Sequence, residues 1–521
     1  MRYRTRVTAP MAALLGTAAA LTRSPAALAQ SSRTPAPGPA NRGTPGGEGL
    51  GDPVFPRLGN TGYRVTAYLL DFTYRATPRL VDARVTITAY ATQDLSRFSL
   101  DAYGLRVHGV WVDGRKAAFR QAARKLVVTP ASPVGNRAKL VVRVDYTADP
   151  RGLRAPHNGW VPTPDGFAVA GQPDLAHTVF PCDDHPSDKA HFTFRVTVPD
   201  GLTAVANGSL VSTAGAGGTT TATYRSRAPI ATELVQVVVG HYRVIERRGP
   251  NGLRLRDVVP AARVRALEPA LALTPGQLGW LERRLGRFPF ETYGILPVNS
   301  DDPGAFGFTA LETQTLTLYK PDFLLQGEEV IGAHMMHELV HSWFGNLVSP
   351  ATWADLWLNE GHADYYALLY RYERGWSDSI GLKTMEARMR SLYAQGDQWR
   401  QDSGPVAAPT AADLYDSQRY TGGVLVLYAL GKLVGEDVFR RIEHAFLDRY
   451  RETSAGTGEY IAVASEVANR DLSAFLRDWL YGTRTPRMPG HPDWTVDRTG
   501  RSTATRRDGV RAPKDLASGT L

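Results

Sequence analysis

Cysteine is almost absent from this 521-residue sequence, in which Cys182 is the only one. No disulfide can form within the chain, which excludes the disulfide-stapled scaffolds typical of small extracellular domains. Long apolar runs are missing as well, and no stretch reaches the roughly 20 residues that a membrane-spanning helix needs. With 43% hydrophobic and 21% charged residues, the composition is that of a globular protein stabilised by a large buried core.

Acidic residues are absent from the first 47 positions, which carry six arginines. Residues 486–521 contain seven basic and four acidic side chains. These two ends account for the formal net charge of +9, so the sequence between them is close to neutral. A neutral body has no basic face for phosphate groups, and we expect no nucleic-acid partner.

The first 29 residues have the features of an export signal. Three arginines precede a short apolar stretch, and an Ala-Leu-Ala sequence ends at residue 29. We therefore expect a secreted, extracellular protein without a transmembrane anchor. Residues 30–52 are rich in Ser, Pro, Gly and Thr, which predicts a disordered linker.

The remaining chain divides into two folded parts and a tail. Alternating apolar runs, such as Val85–Ala89 and Leu140–Val144, predict an antiparallel β domain over residues 53–247. Apolar residues then recur at helical spacing over residues 248–485, which predicts a mainly α domain. The polar, basic residues 486–521 predict a disordered tail.

The second folded part is predicted to contain both element types, which makes it α+β. Its helical segments are predicted at residues 275–285, 328–344, 356–374 and 423–434. Two short strand-like runs are predicted at residues 293–298 and 315–319.

A metal-binding pattern lies within the predicted helix 328–344. His337 and His341 are four residues apart, so both imidazoles lie on one helix face and converge. A catalytic zinc ion takes three protein ligands and leaves one position open. Glu360, on the next predicted helix, is the candidate third ligand. Glu338, between the histidines, is the candidate general base, and the pattern predicts one Zn²⁺ per chain.

The surrounding sequence resembles the zinc aminopeptidases of the membrane alanyl aminopeptidase family. In that family eighteen residues separate His-Glu-x-x-His from the third ligand, as they do here between His341 and Glu360. Two further segments match the family, namely Phe180-Pro181-Cys182 and Trp357-Leu358-Asn359-Glu360-Gly361. The resemblance covers roughly residues 53–485. It implies a saddle-like N-terminal β domain followed by a thermolysin-like catalytic domain.

The resemblance also implies residues that bind the substrate, which would be peptides with a free N-terminus. Glu312, in an altered form of the family's Gly-x-Met-Glu-Asn motif, would hold the substrate's α-ammonium group. Gln172 would help to bind the amino terminus, although its interval to Phe180 is two residues shorter than the family pattern. Phe308 would line the pocket for the first side chain.

Tyr420, sixty residues after Glu360, matches the family's catalytic tyrosine. Its phenol would donate a hydrogen bond to the oxygen that becomes negative during hydrolysis. Tyr415 is the nearest competitor for this role. We interpret His334 as a packing residue, because two histidines and one glutamate complete a zinc site. Asp364 could orient a ligand imidazole, although an exposed helix carboxylate is the ordinary interpretation.

Three alternative functions share parts of this pattern. A thermolysin-like endopeptidase would have the same metal site but no use for Glu312. A binding module would usually have lost a ligand or the base. A bifunctional enzyme resembling the leukotriene hydrolases would carry a further helical domain. Because the chain ends soon after residue 485, we expect a short bacterial-type member without that domain and with a more open site; the sequence does not indicate the oligomeric state.

Overall fold

The computed structural model describes residues 43–497, except residues 155, 301, 303, 304 and 306. The predicted export signal and most of the predicted linker lie outside the described residues, as does the tail beyond residue 497. No helix within the described part of the chain is both long and apolar enough to cross a membrane.

The first folded part is built from β-strands, as the alternating pattern predicts. The strands are β1 (Thr44–Pro45), β2 (Tyr63–Arg75), β3 (Leu80–Ala91), β4 (Leu95–Asp101), β5 (Arg106–Val112), β6 (Arg115–Lys116), β7 (Ala118–Ala122), β8 (Lys125–Thr129), β9 (Lys139–Ala148), β10 (Trp160–Pro162), β11 (Phe167–Val169), β12 (His191–Pro199), β13 (Thr203–Ala206), β14 (Ser209–Ala216), β15 (Thr219–Arg225) and β16 (Val237–Gly240).

These strands form an eight-stranded sheet and two four-stranded sheets. The large sheet has the order β14-β15-β12-β2-β3-β9-β5-β6, and the smaller ones have the orders β1-β4-β8-β7 and β10-β11-β16-β13. In the large sheet Val85 lies opposite Val144, and Ile87 lies opposite Val142. All four are buried, so the two runs predicted from alternation pack as neighbours on the core face.

The second folded part combines nine helices, within the described residues, with short strands. The helices are α1 (Val264–Leu285), α2 (Glu328–Val340), α3 (Trp357–Glu373), α4 (Met385–Ala394), α5 (Gly396–Ser403), α6 (Ser417–Val434), α7 (Glu436–Arg449), α8 (Thr457–Val467) and α9 (Ser473–Tyr481). The strands are β17 (Tyr242–Arg248), β18 (Arg254–Pro260), β19 (Thr292–Tyr293), β20 (Ile295–Pro297), β21 (Ala310–Leu311), β22 (Thr317–Tyr319), β23 (Ser349–Pro350) and β24 (Ser454–Ala455).

The predicted fold class, a β domain followed by an α+β domain, is confirmed. The boundary predicted at residue 247 is wrong, because it cuts the antiparallel pair of β17 and β18. β18 also pairs with β19 of the second domain. The hairpin therefore belongs with the helices, and the β domain ends near Gly240.

Both ends of the described chain are more ordered than composition predicts. Asp52, assigned to the linker, is buried, and its carboxylate accepts hydrogen bonds from the backbone of Val54 and Trp353. At the other end Met488 and Trp494 are buried in the helical core. The prediction of disorder is therefore wrong for residues 43–52 and 486–497, where a few anchoring side chains dock an otherwise polar segment.

A small sheet links the two domains. Its strand order is β20-β22-β21, and its apolar residues Leu296, Leu311 and Leu318 pack into the core of the β domain. The helices α2 and α3 pack in the other core, on the far side of this sheet. A site between β21 and α2 therefore lies within the second domain, next to its boundary with the β domain.

Candidate active site

Helix α2 places three of the predicted site residues. His337 and Glu338 lie in its last turn, and His341 follows Val340 as the residue that ends the helix. The helix is shorter than predicted, because the chain turns back on itself after His341 and the backbone N–H of Asn346 donates to the carbonyl of His341 at 2.9 Å. This turn keeps the second imidazole one helical turn from the first.

The predicted ligands converge on one point. The Nε2 atoms of His337 and His341 are 3.1 Å apart. Oε2 of Glu360, on α3, lies 3.3 Å from the first of these nitrogens and 3.5 Å from the second. All three side chains are buried, and their ligand atoms lie within 4.8 Å of one another.

The chemistry of this cluster fits a divalent cation. Nδ1 of His337 lies 2.8 Å from Oδ1 of Asp364, and Nδ1 of His341 lies 3.2 Å from the carbonyl oxygen of Phe344. Each Nδ1 therefore carries the proton, and each Nε2 presents a lone pair. Glu360 Oε2 adds a third, without a hydrogen bond among the described residues. Three buried lone pairs facing each other require a shared positive charge.

The electrostatics of the cluster show the same preference for positive charge. Burial alone would lower the pKa of His341, but Glu312 and Glu360 raise it to about 9. Burial alone would raise the pKa of Glu360, but the two imidazoles lower it to about 2. Both shifts stabilise a cation at the centre, and two imidazoles with one carboxylate are the ligand set of a catalytic zinc site.

Asp364 is a buried carboxylate that contacts a predicted zinc ligand, rather than an exposed one. It lies one turn after Glu360 on α3 and is only 9% exposed. Its hydrogen bond to His337 fixes the tautomer that leaves Nε2 free for a metal. The ordinary interpretation from sequence is therefore wrong, because helical spacing alone did not indicate that α2 packs against this face of α3.

We expect Asp364→Asn to weaken zinc binding by about 10–100-fold, since an amide holds the imidazole less firmly and raises its basicity less. Competition with a chromogenic zinc chelator measures this directly on the purified protein. Asp437→Asn, which changes an exposed carboxylate on α7, is the control. Unchanged zinc affinity in Asp364→Asn would contradict the orienting role.

Glu338 is a buried carboxylate beside the ligands. Burial raises its pKa to about 8 without a metal present, against the opposing effect of His337. Its Oε1 lies 3.5 Å from Nε2 of His334, and its Oε2 has no hydrogen-bond partner among the described residues. Burial lowers the pKa of His334 to about 3, so that imidazole is neutral. His334 thus packs beside Glu338, outside the ligand set, as interpreted from sequence.

The structure brings Glu312 and Gln172 together. Nε2 of Gln172 donates to Oε1 of Glu312 at 2.7 Å. Glu312 directly follows β21 and is 4% exposed, whereas Gln172 comes from the β domain. A ligand atom of Glu312 also lies within 4.8 Å of those of Glu338 and His341. A desolvated carboxylate therefore lies next to the cluster of predicted zinc ligands.

Tyr420 lies over the first metal ligand. Its ring is stacked on that of His337, with centroids 6.1 Å apart. The close approach of α3 and α6 allows this, because a Cβ on Gly361 would lie 2.9 Å from Cα of Gly423. Tyr415 lines the same cavity, and its buried hydroxyl has no hydrogen-bond partner in the described part of the chain.

One cavity of about 100 Å³ is lined by the predicted ligands and by the other polar groups that face them, which are Gln172, Glu312, His337, Glu338, His341, Glu360, Tyr415 and Tyr420. Phe308 lines it, as the resemblance implies, together with other apolar side chains of both domains. The apolar lining residues are Pro156, Ala170, Leu175, Ala305, Ala310 and Leu311. The carboxylate of Glu312 and the predicted zinc ligands therefore lie in a buried cavity with polar and apolar walls, and their burial strengthens the electrostatic interactions between them.

Comparison with known families identifies both domains. Residues 65–234 match the family described as Peptidase M1 N-terminal domain. Residues 276–479 match the Peptidase family M1 domain. The two matches leave the β17–β18 hairpin between them, and together they cover more than half of the chain.

Curated relatives with similar sequences are aminopeptidases. Aminopeptidase M1-D of Oryza sativa subsp. japonica is 28% identical over 324 residues, 58% of this chain and 36% of the relative. The leucyl aminopeptidase of Saccharolobus solfataricus is 23% identical over 421 residues, 77% of this chain and 51% of the relative. The chain thus spans about half the length, or less, of the curated relatives it matches.

A solved structure matches over almost its entire length. The M1 zinc metallopeptidase of Deinococcus radiodurans superposes with a TM-score of 0.72 at 28% identity, covering 85% of this chain and 99% of that one. A mutant of that protein in complex with a Tyr-Ser-Ala substrate superposes with a TM-score of 0.70. The two-domain arrangement described above is therefore shared with a zinc metallopeptidase of similar size.

Proposed function

Because this chain belongs to the M1 peptidase family through both its domains, we propose that it is a zinc-dependent aminopeptidase that removes the N-terminal residue from peptides. The observation that carries the proposal is the position of Glu312. Its buried carboxylate lies beside the cluster of His337, His341 and Glu360 in a single cavity. An anion there pairs with a desolvated ammonium group, and the free N-terminus of a peptide supplies one directly next to the first peptide bond.

One Zn²⁺ per chain would be held by His337, His341 and Glu360. Bound there, zinc supplies Lewis-acid polarisation of a carbonyl oxygen and makes water more acidic. The remaining steps belong to side chains of this protein. Glu312 and Gln172 hold the α-ammonium group, so that the first peptide bond is the one within reach of the reacting groups.

Glu338 is the proposed general base. Its carboxylate takes a proton from the attacking water and returns it to the nitrogen of the departing peptide. Burial raises the pKa of Glu338 in the metal-free site, and the positive charge of a bound zinc ion would oppose that shift and favour the ionised carboxylate that accepts the proton. Its Oε2, which lacks a partner among the described residues, is free to do so.

Tyr420 is the proposed donor to the carbonyl oxygen as negative charge develops. We expect Tyr420→Phe to lower kcat about 100–1,000-fold, the loss of about 2.7–4 kcal/mol found when one such donor is removed. KM should change little, because the hydrogen bond forms mainly in the transition state. Steady-state kinetics on an aminoacyl amide measure both constants. Tyr415→Phe is the control, and a larger effect in that variant would assign the role to Tyr415.

The proposed exopeptidase activity is tested with an unblocked pentapeptide. Mass spectrometry over time should show successive loss of single residues from the N-terminus. Internal fragments would instead indicate a thermolysin-like endopeptidase, for which Glu312 has no role. We further propose that the protein is exported; the support is the sequence pattern of residues 1–29, which lie outside the described part of the chain.

A further inference from the structure

A lysine of the β domain reaches the loop that follows the metal-binding helix. Nζ of Lys189 donates to the carbonyl oxygens of Asn346, at 2.6 Å, and Leu347, at 3.0 Å. Burial lowers the pKa of this ammonium group to about 7, although Glu233 favours its charged form. Lys189 is a partly buried cation directed at two main-chain carbonyls, and the mechanism above does not use it.

Asn346, one of the residues that Lys189 binds, is connected to both halves of the active site. Its backbone N–H donates to the carbonyl of His341 at 2.9 Å. Its side-chain Nδ2 donates to the main-chain carbonyl of Glu312 at 2.8 Å. Asn346 is 2% exposed, so these bonds are made without competition from water. One residue therefore joins the metal-ligand helix to the residue that holds the substrate amine.

The segment that carries Glu312 is bound to the β domain on its other side. Gln172 donates to the Glu312 carboxylate, and the backbone N–H of Gln314 donates to the carbonyl of Leu234 at 3.0 Å. A shift of one domain relative to the other would therefore change the distance between this segment and α2. Asn346 connects the segment to the end of α2 through its hydrogen bonds. Lys189 in turn connects the loop at Asn346 and Leu347 to the β domain.

We propose that Lys189 and Asn346 are positioning residues that set the separation between the Glu312 carboxylate and the metal ligands, and thereby the affinity for a free N-terminus. The inference rests on the proposed function. Catalysis by an exopeptidase requires that the amine anchor and the reacting carbonyl be one residue apart, and errors of about 1 Å in such placement are costly. Neither residue touches the substrate.

Asn346→Ala tests the proposal. We expect KM for a free-amine aminoacyl amide to rise about tenfold, the effect of one lost buried hydrogen bond, while kcat stays within about threefold. L-tryptophan is a suitable probe because it carries the free α-ammonium group that Glu312 is proposed to hold, and its Kd, measured by calorimetry on the zinc-loaded protein, should rise by the same factor. Zinc content should not change, because the imidazoles keep their own Nδ1 partners.

Lys189→Met and Lys189→Arg form a second pair, which keeps the test valid if Asn346→Ala does not fold. The methionine variant should raise KM and the Kd of L-tryptophan about tenfold. The arginine variant, which retains the charge and donors, should restore both to within about threefold. Lys383→Met, an exposed lysine, is the matched surface control, and Val85→Ala lowers stability through the β-domain core alone.

A purely structural role would give a different pattern. Lys189→Met and Asn346→Ala would then resemble Val85→Ala, with a lower melting temperature but with KM and the Kd of L-tryptophan within twofold of the wild type. That result overturns the inference and leaves the proposed function intact. A wild-type protein that neither hydrolyses the amide nor binds L-tryptophan overturns both.

Discussion

Glu338→Gln is expected to lower kcat by about 100–10,000-fold, the range for loss of a general base. The amide is nearly the same size as the carboxylate, so the cavity keeps its shape, but an amide cannot accept a proton from water at neutral pH. Zinc content should be unchanged, because Glu338 is not one of the three ligands. Steady-state kinetics together with metal analysis measure both quantities on one sample.

His334 is the neighbouring residue whose possible role in proton transfer must be separated from that of Glu338. Its Nε2 lies 3.5 Å from Glu338, so it is the residue that could take over proton transfer. Its pKa, lowered to about 3 by burial, makes it a poor base at neutral pH. His334→Phe should therefore retain most of the activity. An active, zinc-loaded Glu338→Gln variant would contradict the assignment of Glu338.

Removal of the metal is expected to abolish hydrolysis and to lower the melting temperature. A metal ion held by His337, His341 and Glu360 binds the folded chain and not the unfolded one, so its removal withdraws that binding free energy from stability. Dialysis against a chelator, followed by activity and calorimetric scans, measures both effects. Added Zn²⁺ should restore both.

His341→Ala gives the corresponding result by mutation. It removes one ligand, so zinc binding and activity should be lost together, and the melting temperature should no longer respond to chelator. His108→Ala, which removes an exposed histidine of the β domain, is the control and should behave as the wild type. Full activity after complete removal of metal would contradict the metal assignment.

The pair of histidine ligands could be predicted from sequence, because the signal lies in their spacing along one helix. His337 and His341 are one turn apart on a single helix, so their convergence needs no knowledge of tertiary structure. Helix geometry alone does not identify the third ligand. The resemblance to a known family supports Glu360, because eighteen residues separate it from His341, as in that family. The structure then places Gln172 against Glu312 across 140 positions of sequence, a contact that the departure from the family spacing left open.

The contacts that support the cluster could not be predicted, because they depend on packing between elements. From sequence alone, the ordinary interpretation of Asp364 is an exposed helix carboxylate. Its contact with His337 depends on the packing of α3 against α2. Lys189 and Asn346 carry no sequence signal of their contact, since it is made across the two domains. Composition also misassigned the chain ends, where single buried residues such as Asp52 and Trp494 hold polar segments in place.

The most direct test of the proposed function compares a free-amine aminoacyl amide with its N-acetylated twin, each with and without a zinc chelator. We expect hydrolysis of the free amine alone, and only in the absence of chelator, because Glu312 requires an ammonium group and the reaction requires the metal. Equal cleavage of the N-acetylated amide would contradict the role of Glu312 and indicate an endopeptidase. Chelator-resistant cleavage would contradict the metal centre itself.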